Sequence, residues 1–281
     1  MENKIKQGST HTLPLPPKTN NIPSFKKWIK YIWTGLAAVV LGIAFLFFAI
    51  SQGFLGDMPE VQELENPDIY VASEIISSDG VQLGKFEKEK TIPITYKDLP
   101  QHLIYALQAK EDERFREHSG IDMKSIARAI RYGGARGGGS TITQQLAKLL
   151  FTGNASQNKI QRAFQKLKEW VVAVSLEKRY TKEEIVTLYF NKFDFLHNAN
   201  GIELASKIYF NKSAKDLNLS EAATFVAMLE NPRRNNPIRN MDRAIKRRNV
   251  VLDQMLETGY IDQATHDKVV FFFSSRRRHT R

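Results

Sequence analysis

Cysteine is absent from the 281 residues of this chain. Disulfide bonds and thiol chemistry are therefore excluded, although the absence fits either a reducing or an oxidising compartment. Acidic residues are also in the minority, with 30 Asp and Glu against 41 Lys and Arg, which gives a formal net charge of +11. Such a basic chain suits an anionic partner: a nucleic acid, an anionic membrane surface or a substrate that carries phosphate.

Charged residues are missing from one long stretch, residues 31–56, which has 26 residues and reads YIWTGLAAVVLGIAFLFFAISQGFLG. The hydrocarbon core of a bilayer needs about 20 residues of helix. A signal peptide is the alternative, but its apolar region has only about 7–15 residues and ends at a small-residue cleavage site. No convincing site follows Phe54. We therefore predict a transmembrane helix over residues 31–56.

Lysines precede this apolar stretch, and acidic residues follow it at Asp57 and Glu60. Positive charge favours the cytoplasmic side of a membrane. We expect a single-pass protein of the cytoplasmic membrane, with residues 1–30 inside and the remaining chain on the extracytoplasmic face. Residues 1–30 are predicted to be a disordered cytoplasmic tail, because a segment rich in proline, asparagine and threonine cannot bury a core.

Residues 57–97 are predicted to be a linker and a small β element, in which Ser78-Asp79-Gly80 is the turn of a hairpin. The segment TIPITY, at residues 91–96, is expected to add a third short strand. Residues 98–270 are expected to be helical, and Asp98-Leu99-Pro100 is typical of a helix start. Residues 271–281, FFFSSRRRHTR, continue no pattern and are interpreted as a probable non-native tail, so no nucleic-acid partner is inferred from them.

The helices expected in this part of the chain cover residues 101–115, a segment that begins at Asp122, and residues 163–179, 182–190, 201–209, 220–230 and 243–258. The predicted fold class is mainly α with a small β element, preceded by one transmembrane helix.

Three polar clusters are candidates for chemistry. The first is Glu111-Asp112-Glu113 at the end of an apolar helix, where acidic groups oppose the helix dipole, and its alternative is a solvated acidic patch. The second is Ser140 to Gln145, which follows a run of glycines and leads to Lys148. Such a loop offers backbone N–H groups to an anion, although it lacks the order of a Walker P-loop, and its alternative is a mobile loop.

The third cluster is Arg162, Lys166 and Glu169, which are spaced four and three residues apart and so share one helix face. Two cations and one carboxylate on a face can hold a phosphate or a metal ion, but most such faces are simply solvated. None of the three clusters is specific by itself.

The clusters lie within longer segments that occur in order along the chain: EDERFREHSGID, GGSTITQQLAK and QKLKEWVVAVSLEKRYTKEEIVTLYFN. These segments closely resemble the signature motifs of the family 51 glycosyltransferases. That family comprises the peptidoglycan polymerase domains of class A penicillin-binding proteins and monofunctional transglycosylases. The downstream segments GIELASKIYFNK and LSEAATFVAMLENPRRNNP are also similar, so the resemblance covers roughly residues 70–262. The sequence departs from the family at Gln165 and at Glu230-Asn231-Pro232, which leaves finer substrate contacts open.

The resemblance implies a lysozyme-like transferase domain of two lobes that joins lipid II units into a glycan strand by inverting transfer. It implies Glu111 as the general base and Glu169 as a second carboxylate, whose role is to orient cations, support the pyrophosphate or bind a metal ion. The diphosphate and sugar contacts that it implies, with Arg162 the weaker member, are at Arg128, Ser140, Gln144, Gln145, Lys148, Arg162 and Lys166. Phe115, His118 and Gly120 are expected to support the first motif structurally.

No cofactor is required by this reading, although a divalent cation (Mg or Mn) is compatible with it. The expected partners are lipid II, the nascent glycan strand and the membrane, with other cell-wall synthesis proteins possible. We also expect an amphipathic, membrane-facing patch near residues 133–139. Two alternatives are a lysozyme-like peptidoglycan hydrolase and an inactive membrane-anchored cell-wall scaffold. Because no Ser-x-x-Lys motif follows, the chain is either monofunctional or the amino-terminal part of a bifunctional class A penicillin-binding protein, and the tail favours the second.

Overall fold

The computed structural model describes residues 25–54, 73–79, 82–86, 91–133, 138–152 and 157–276. The chain divides into two compact units, Met1–Ala49 and Ile50–Arg281. The predicted class is confirmed, because helices dominate the described residues and one small β element precedes most of them. The lysozyme-like arrangement in two lobes stays a prediction.

The first helix, α1, covers Phe25–Ser51. Its segment Lys27–Ile50 has a mean hydropathy of 2.3 and is long and apolar enough to cross a membrane. The helix begins earlier than the predicted span of residues 31–56 and ends earlier too, since Gln52–Phe54 lie in a turn. Residues 25–30 of the predicted disordered tail are therefore helical, and residues 1–24 lie outside the described residues.

The predicted hairpin is present as strand β1, Ser73–Ile76, and strand β2, Gln82–Phe86, which pair antiparallel with an irregularity between Ile75 and Ile76. The predicted third strand over residues 91–96 is wrong. Thr91 makes a single isolated bridge to Asn200, and Tyr96–Asp98 forms a 3-10 turn. Pro93 cannot donate to a ladder, which explains why pairing does not continue.

The predicted helix start at Asp98 is also wrong, because this carboxylate has another use. Asp98 accepts hydrogen bonds from the backbone N–H and the hydroxyl of Thr95, at 2.9 and 2.8 Å, and so closes a capping box on the 3-10 turn. The cap of the next helix is Pro100. Asp122, by contrast, caps its helix as predicted, accepting from the N–H groups of Lys124 and Ser125.

The remaining helices follow the predicted order, with two that the sequence did not indicate, α4 and α10. Their bounds are α2 Gln101–Glu111, α3 Met123–Arg131, α4 Ile142–Ala147 with a π-helical turn Lys148–Thr152, α5 Lys159–Glu177, α6 Lys182–Lys192, α7 Ile202–Phe210, a 3-10 turn Ala214–Asp216, α8 Leu219–Glu230, α9 Met241–Glu257 and α10 Gln263–Arg276. Helix α10 runs into residues 271–276 of the predicted non-native tail, so that boundary is not a break in structure.

The core lies where α2, α8 and α9 pack against one another and where α4 packs against α5 and α6. Helix α8 is apolar around most of its circumference, and eight of its twelve residues are buried. Leu107, Leu146 and Phe225 are fully buried in this core. Helix α3 differs, because none of its residues is buried.

Gly120 links the first motif to this core through a conformation that favours glycine. Its φ is +89°, and an added Cβ would lie 2.9 Å from the backbone carbonyl carbon and oxygen of Ala173 on α5. The carbonyl of Gly120 accepts hydrogen bonds from the hydroxyl of Thr141 and the side-chain amide of Gln144, at 2.7 and 3.1 Å. A turn that only glycine fits therefore holds α4 against α5.

We expect Gly120→Ala to lower the free energy of unfolding by about 3 kcal/mol, since a left-handed conformation and a backbone clash act together. The matched control is Gly259→Ala, where φ is +75° but no atom lies within 4 Å of the added Cβ. This control should lose only about 1 kcal/mol. Urea unfolding of the full chain in detergent micelles measures both, and equal losses would contradict the close-contact explanation.

Candidate active site

Glu111 is the last residue of α2, and the helix ends there because Asp112 turns inward. The buried carboxylate of Asp112 accepts hydrogen bonds from Nε2 of His118 at 3.0 Å and from the backbone N–H of Ile142 at 3.1 Å. Its side chain thus holds both the segment that follows and the first turn of α4. The first two motifs are joined at this carboxylate, which leaves the neighbouring Glu111 to face a pocket.

Three side chains form a hydrogen-bonded chain at Glu111. The amide nitrogen of Gln145 donates to Oε2 of Glu111 at 2.8 Å, and the hydroxyl of Tyr189 donates to the amide oxygen of Gln145 at 2.9 Å. Burial raises the pKa of Glu111 above its ordinary value, and the Gln145 hydrogen bond and the charge of Lys110 oppose this only in part. The negative charge of Glu230 raises that pKa further.

The raised pKa has a direct chemical meaning. A carboxyl group with a pKa closer to neutral pH is a stronger base in its ionised form than an ordinary solvated glutamate. Glu111 therefore lies where it can accept a proton from a group bound in the pocket.

Glu169 lies on the buried side of α5 and holds the ammonium group of Lys166 at 2.9 Å. The same ammonium group donates to the hydroxyl of Ser140 at 2.7 Å. A carboxylate at i+3 on the same helix thus fixes the position of a half-buried cation. Ser140, from the glycine-rich segment, joins the second motif to the third.

Most of the predicted site residues line one pocket of about 440 Å³. Those of the prediction that line it are Glu111, Ser140, Gln144, Gln145, Lys148, Arg162, Lys166 and Glu169. Lys148 is exposed at the start of the π-helical turn, and Arg162 is exposed on the first turn of α5. Gln144 is fully buried and directs its amide nitrogen to the carbonyl of Gly120, so it also supports the wall of the pocket.

Arg128 lines an adjoining pocket of about 690 Å³ instead. One of its guanidinium nitrogens donates to the hydroxyl of Ser125 at 3.1 Å, and another lies 4.0 Å from a carboxylate oxygen of Glu113. The two pockets share Glu111, Ser140, Gln145 and Glu230 in their lining. The candidate base is therefore accessible from both pockets, a geometry that suits a reaction between two bound groups.

Some functional residues were not predicted. Glu230, the last residue of α8, lines both pockets, and Arg247 lies 3.5 Å from its carboxylate. Tyr189 reaches the site from α6. Asp112 supports the site through its hydrogen bonds with His118 and Ile142. The signal for Glu230 was present in the departure at Glu230-Asn231-Pro232, and the signal for Tyr189 was its place in the third motif. Neither pattern indicates which side chains these residues contact. Tyr189, for example, contacts Gln145, which lies 44 residues earlier in the sequence.

One group of side chains among the described residues has the spacing of a metal site: Asp112, His118 and Asp122, with candidate ligand atoms within 4.8 Å of one another. These atoms already have partners. Asp122 caps α3 and accepts from a guanidinium nitrogen of Arg114 at 2.7 Å. Burial raises the pKa of Asp122, but the hydrogen bonds from Arg114 and Ser125 outweigh it and hold the pKa at about 2. The group is better suited to structural support than to a metal ion.

Comparisons with known proteins show which family the chain resembles. The family described as Transglycosylase matches residues 79–256. Penicillin-binding protein 1A of Pseudomonas aeruginosa is 35% identical over 247 residues, which is 86% of this chain and 29% of that protein. Penicillin-binding protein 1A of Escherichia coli strain K12 is 35% identical over 246 residues, 86% of this chain and 28% of that protein.

Penicillin-binding protein 1F of Bacillus subtilis is 38% identical over 197 residues, which is 69% of this chain and 27% of that protein. A crystal structure of penicillin-binding protein 1A from Haemophilus influenzae aligns with 72% of this chain and 20% of that chain, at 25% identity and a TM-score of 0.40. The chain thus spans less than a third of the length of these relatives.

We expect Glu230→Gln to lower the pKa of Glu111 by roughly a few tenths of a unit, because one nearby negative charge is removed while the side-chain volume is kept. Carboxyl-carbon NMR titration of glutamate-labelled protein, with Glu111 assigned through Glu111→Gln, measures the shift. Glu257→Gln is the control, since Glu257 is exposed and lines only the larger of the two pockets. A pKa that stays constant or rises in Glu230→Gln would contradict the electrostatic coupling.

Proposed function

The chain belongs to the Transglycosylase family, and on that basis we propose that it polymerises lipid II into peptidoglycan glycan strands. The observation that carries the proposal is the convergence of three motifs on one pocket. That pocket combines a buried carboxyl group of raised pKa, Glu111, with the cations Lys148, Arg162 and Lys166. Relatives named penicillin-binding proteins extend well beyond this segment, so the proposal concerns the transferase part of such a protein.

In the proposed reaction, Glu111 takes the proton from the 4-hydroxyl of the acceptor sugar. The hydroxyl oxygen forms a bond to the anomeric carbon of the growing chain, and the bond from that carbon to the lipid pyrophosphate breaks. The configuration inverts, and no covalent enzyme intermediate is required. Because Glu111 lines both pockets, a group bound in either pocket can approach its carboxylate.

The leaving diphosphate is proposed to bind among Lys148, Lys166 and Arg162 in the smaller pocket. Fixed cations near the site where negative charge develops are a large catalytic contribution in a site with little water. Glu169 fixes Lys166 at 2.9 Å, and we assign it this orienting role. Arg128 lies across the shared lining, where it is placed to contact the phosphate or peptide of the other substrate.

A divalent cation (Mg or Mn) is compatible with this arrangement and, if bound, would supply positive charge to stabilise the leaving diphosphate. In the proposed topology, residues before α1 are cytoplasmic and the transferase part is extracytoplasmic, which fits the lysines before the apolar segment.

Helix α3 supports the proposed approach to the membrane. Its residues Ser125 and Arg128 line the larger pocket, whereas Met123 and Ile130 are 67% and 78% exposed on a different face. Apolar side chains exposed together on one helix face are typical of a surface that contacts lipid or protein. We propose that this face lies against the bilayer, so that a lipid-linked substrate enters the pocket from the membrane.

We expect Glu111→Gln to reduce polymerisation of labelled lipid II at least about 100-fold, because the amide cannot accept the proton. Gel analysis of glycan formed by the full chain in detergent measures the loss. The control is Glu117→Gln, whose side chain is exposed and lines neither pocket. Activity of folded Glu111→Gln near that of the wild type would contradict the assignment, and shortened glycan chains would indicate a hydrolase.

The membrane face of α3 is testable because the chain has no cysteine. A fluorescent label on Ile130→Cys, in the full chain reconstituted into lipid nanodiscs, should be strongly quenched by lipids that carry a quencher in the acyl chain. The same label on Ile238→Cys, at a residue 61% exposed between α8 and α9, should be quenched much less. Equal quenching at both positions would contradict a specific membrane face on α3.

A further inference from the structure

We propose that Tyr189 is a positioning residue, which fixes the side-chain amide of Gln145 so that its N–H group points at the Glu111 carboxylate. This inference rests on the proposed function of Glu111 as the base and adds a residue that determines how that base is held. Tyr189 lies on α6, in the wall of the smaller pocket, and acts on Glu111 through Gln145.

The chemistry of the Gln145 amide requires a particular orientation beside Glu111. A glutamine side chain has an oxygen that accepts and a nitrogen that donates, and the two ends have nearly the same shape. A carboxylate only accepts, so the nitrogen must face Glu111 for the 2.8 Å contact to be favourable. The opposite orientation would place two acceptor oxygens against each other.

The hydroxyl of Tyr189 selects this orientation of the Gln145 amide. When the amide nitrogen faces Glu111, the amide oxygen of Gln145 needs a donor on its other side. The hydroxyl of Tyr189 lies 2.9 Å from that oxygen and supplies the proton. The chain of hydrogen bonds therefore has one sense, from Tyr189 through Gln145 to Glu111.

Tyr189 remains a hydrogen-bond donor and remains in place. Its side chain is only 1% exposed, and its ring packs against Phe190 and Phe193 with centroid separations of 5.9 Å. Burial raises the pKa of Tyr189 well above its ordinary value, and the charge of Glu111 raises it further. The hydroxyl thus keeps its proton throughout the working pH range.

The orientation of Gln145 affects the balance between the neutral and ionised forms of Glu111. Burial favours the neutral form of Glu111, and the hydrogen bond from Gln145 favours the ionised form. Without that hydrogen bond, the carboxyl group would take up its proton at a higher pH and would be inactive as a base over more of the neutral range. By orienting Gln145, Tyr189 limits how far burial raises the pKa.

The test is Tyr189→Phe in the full chain, which removes only the hydroxyl and keeps the ring in its packing. Without the donor, the amide of Gln145 samples both orientations. We expect the acidic limb of the pH–rate profile for polymerisation to move up by about half to one pH unit. The rate at low pH should fall accordingly, and the rate at high pH should approach that of the wild type.

The matched control is Tyr209→Phe. The hydroxyl of Tyr209 donates to the carbonyl of Phe195 at 2.6 Å and accepts from the amide of Asn236 at 2.7 Å, and Tyr209 lines neither pocket described above. This variant removes a hydroxyl with two protein partners and should lower thermal stability while leaving the acidic limb in place. A purely structural role for Tyr189 would give the same result in Tyr189→Phe.

A second readout does not depend on activity. Infrared difference spectra recorded during a pH titration, with the Glu111 band assigned through Glu111→Gln, give the pKa of this carboxyl group directly. The pKa should rise in Tyr189→Phe, and in a Gln145→Met background Tyr189→Phe should shift it no further. An unchanged pKa in folded Tyr189→Phe, or an equal shift in the Gln145→Met background, would overturn the inference.

These outcomes separate the inference from the proposed function. A wild-type chain that forms no glycan would contradict the polymerase proposal, while the infrared titration would still report whether Tyr189 sets the orientation of Gln145. Active polymerase with no change in the pKa of Glu111 would leave the polymerase standing and remove Tyr189 from the positioning network.

Discussion

The geometry of the site depends on the hydrogen bonds that the buried carboxylate of Asp112 accepts. A carboxylate removed from water must accept several hydrogen bonds, and Asp112 receives them from His118 and from the backbone of Ile142. Those two donors lie 6 and 30 residues away along the chain. One charge therefore ends α2, folds the loop that follows and starts α4, so that Glu111 and Gln145 are presented to the same pocket.

The carbonyl of Gly120 completes this junction from the other side. It accepts hydrogen bonds from the side chains of Thr141 and Gln144. Because Gly120 has no side chain, its backbone can approach α5 closely at Ala173. Three sequence motifs meet at one glycine and one aspartate, although the glycine has no side chain and the aspartate carboxylate already accepts hydrogen bonds from His118 and Ile142. The residues expected to support the first motif, His118 and Gly120 among them, have this supporting role.

The sequence indicated the helical class and the hairpin, because helix periodicity and turn residues are local signals, and the resemblance of its motifs to those of a known family indicated most members of the pocket. The helix that begins at Asp122 was predicted correctly, whereas Asp98 was misassigned because Thr95 lies three residues before it and the two side chains close a capping box on the 3-10 turn. Helix α4 was missed because a helix of six residues shows too little periodicity.

Contacts between distant side chains could not be read from the sequence at all. The hydrogen bond between Tyr189 and Gln145 depends on how α6 packs against α4, and the place of Glu230 depends on where α8 ends. Such contacts follow from packing, for which one sequence carries no direct signal.

The charge balance of the smaller pocket gives the arrangement a mechanistic consequence. Among the described residues, its lining carries cations at Lys148, Arg162 and Lys166 and carboxylates at Glu111, Glu169 and Glu230. These formal charges cancel, so the three cations proposed to contact a diphosphate are already balanced by the carboxylates of the lining, and a bound diphosphate would add net negative charge to the pocket. Negative charge near a buried carboxylate raises its affinity for a proton. In the proposed reaction, the charge that develops on the leaving diphosphate would raise the proton affinity of Glu111 as the acceptor hydroxyl loses its proton.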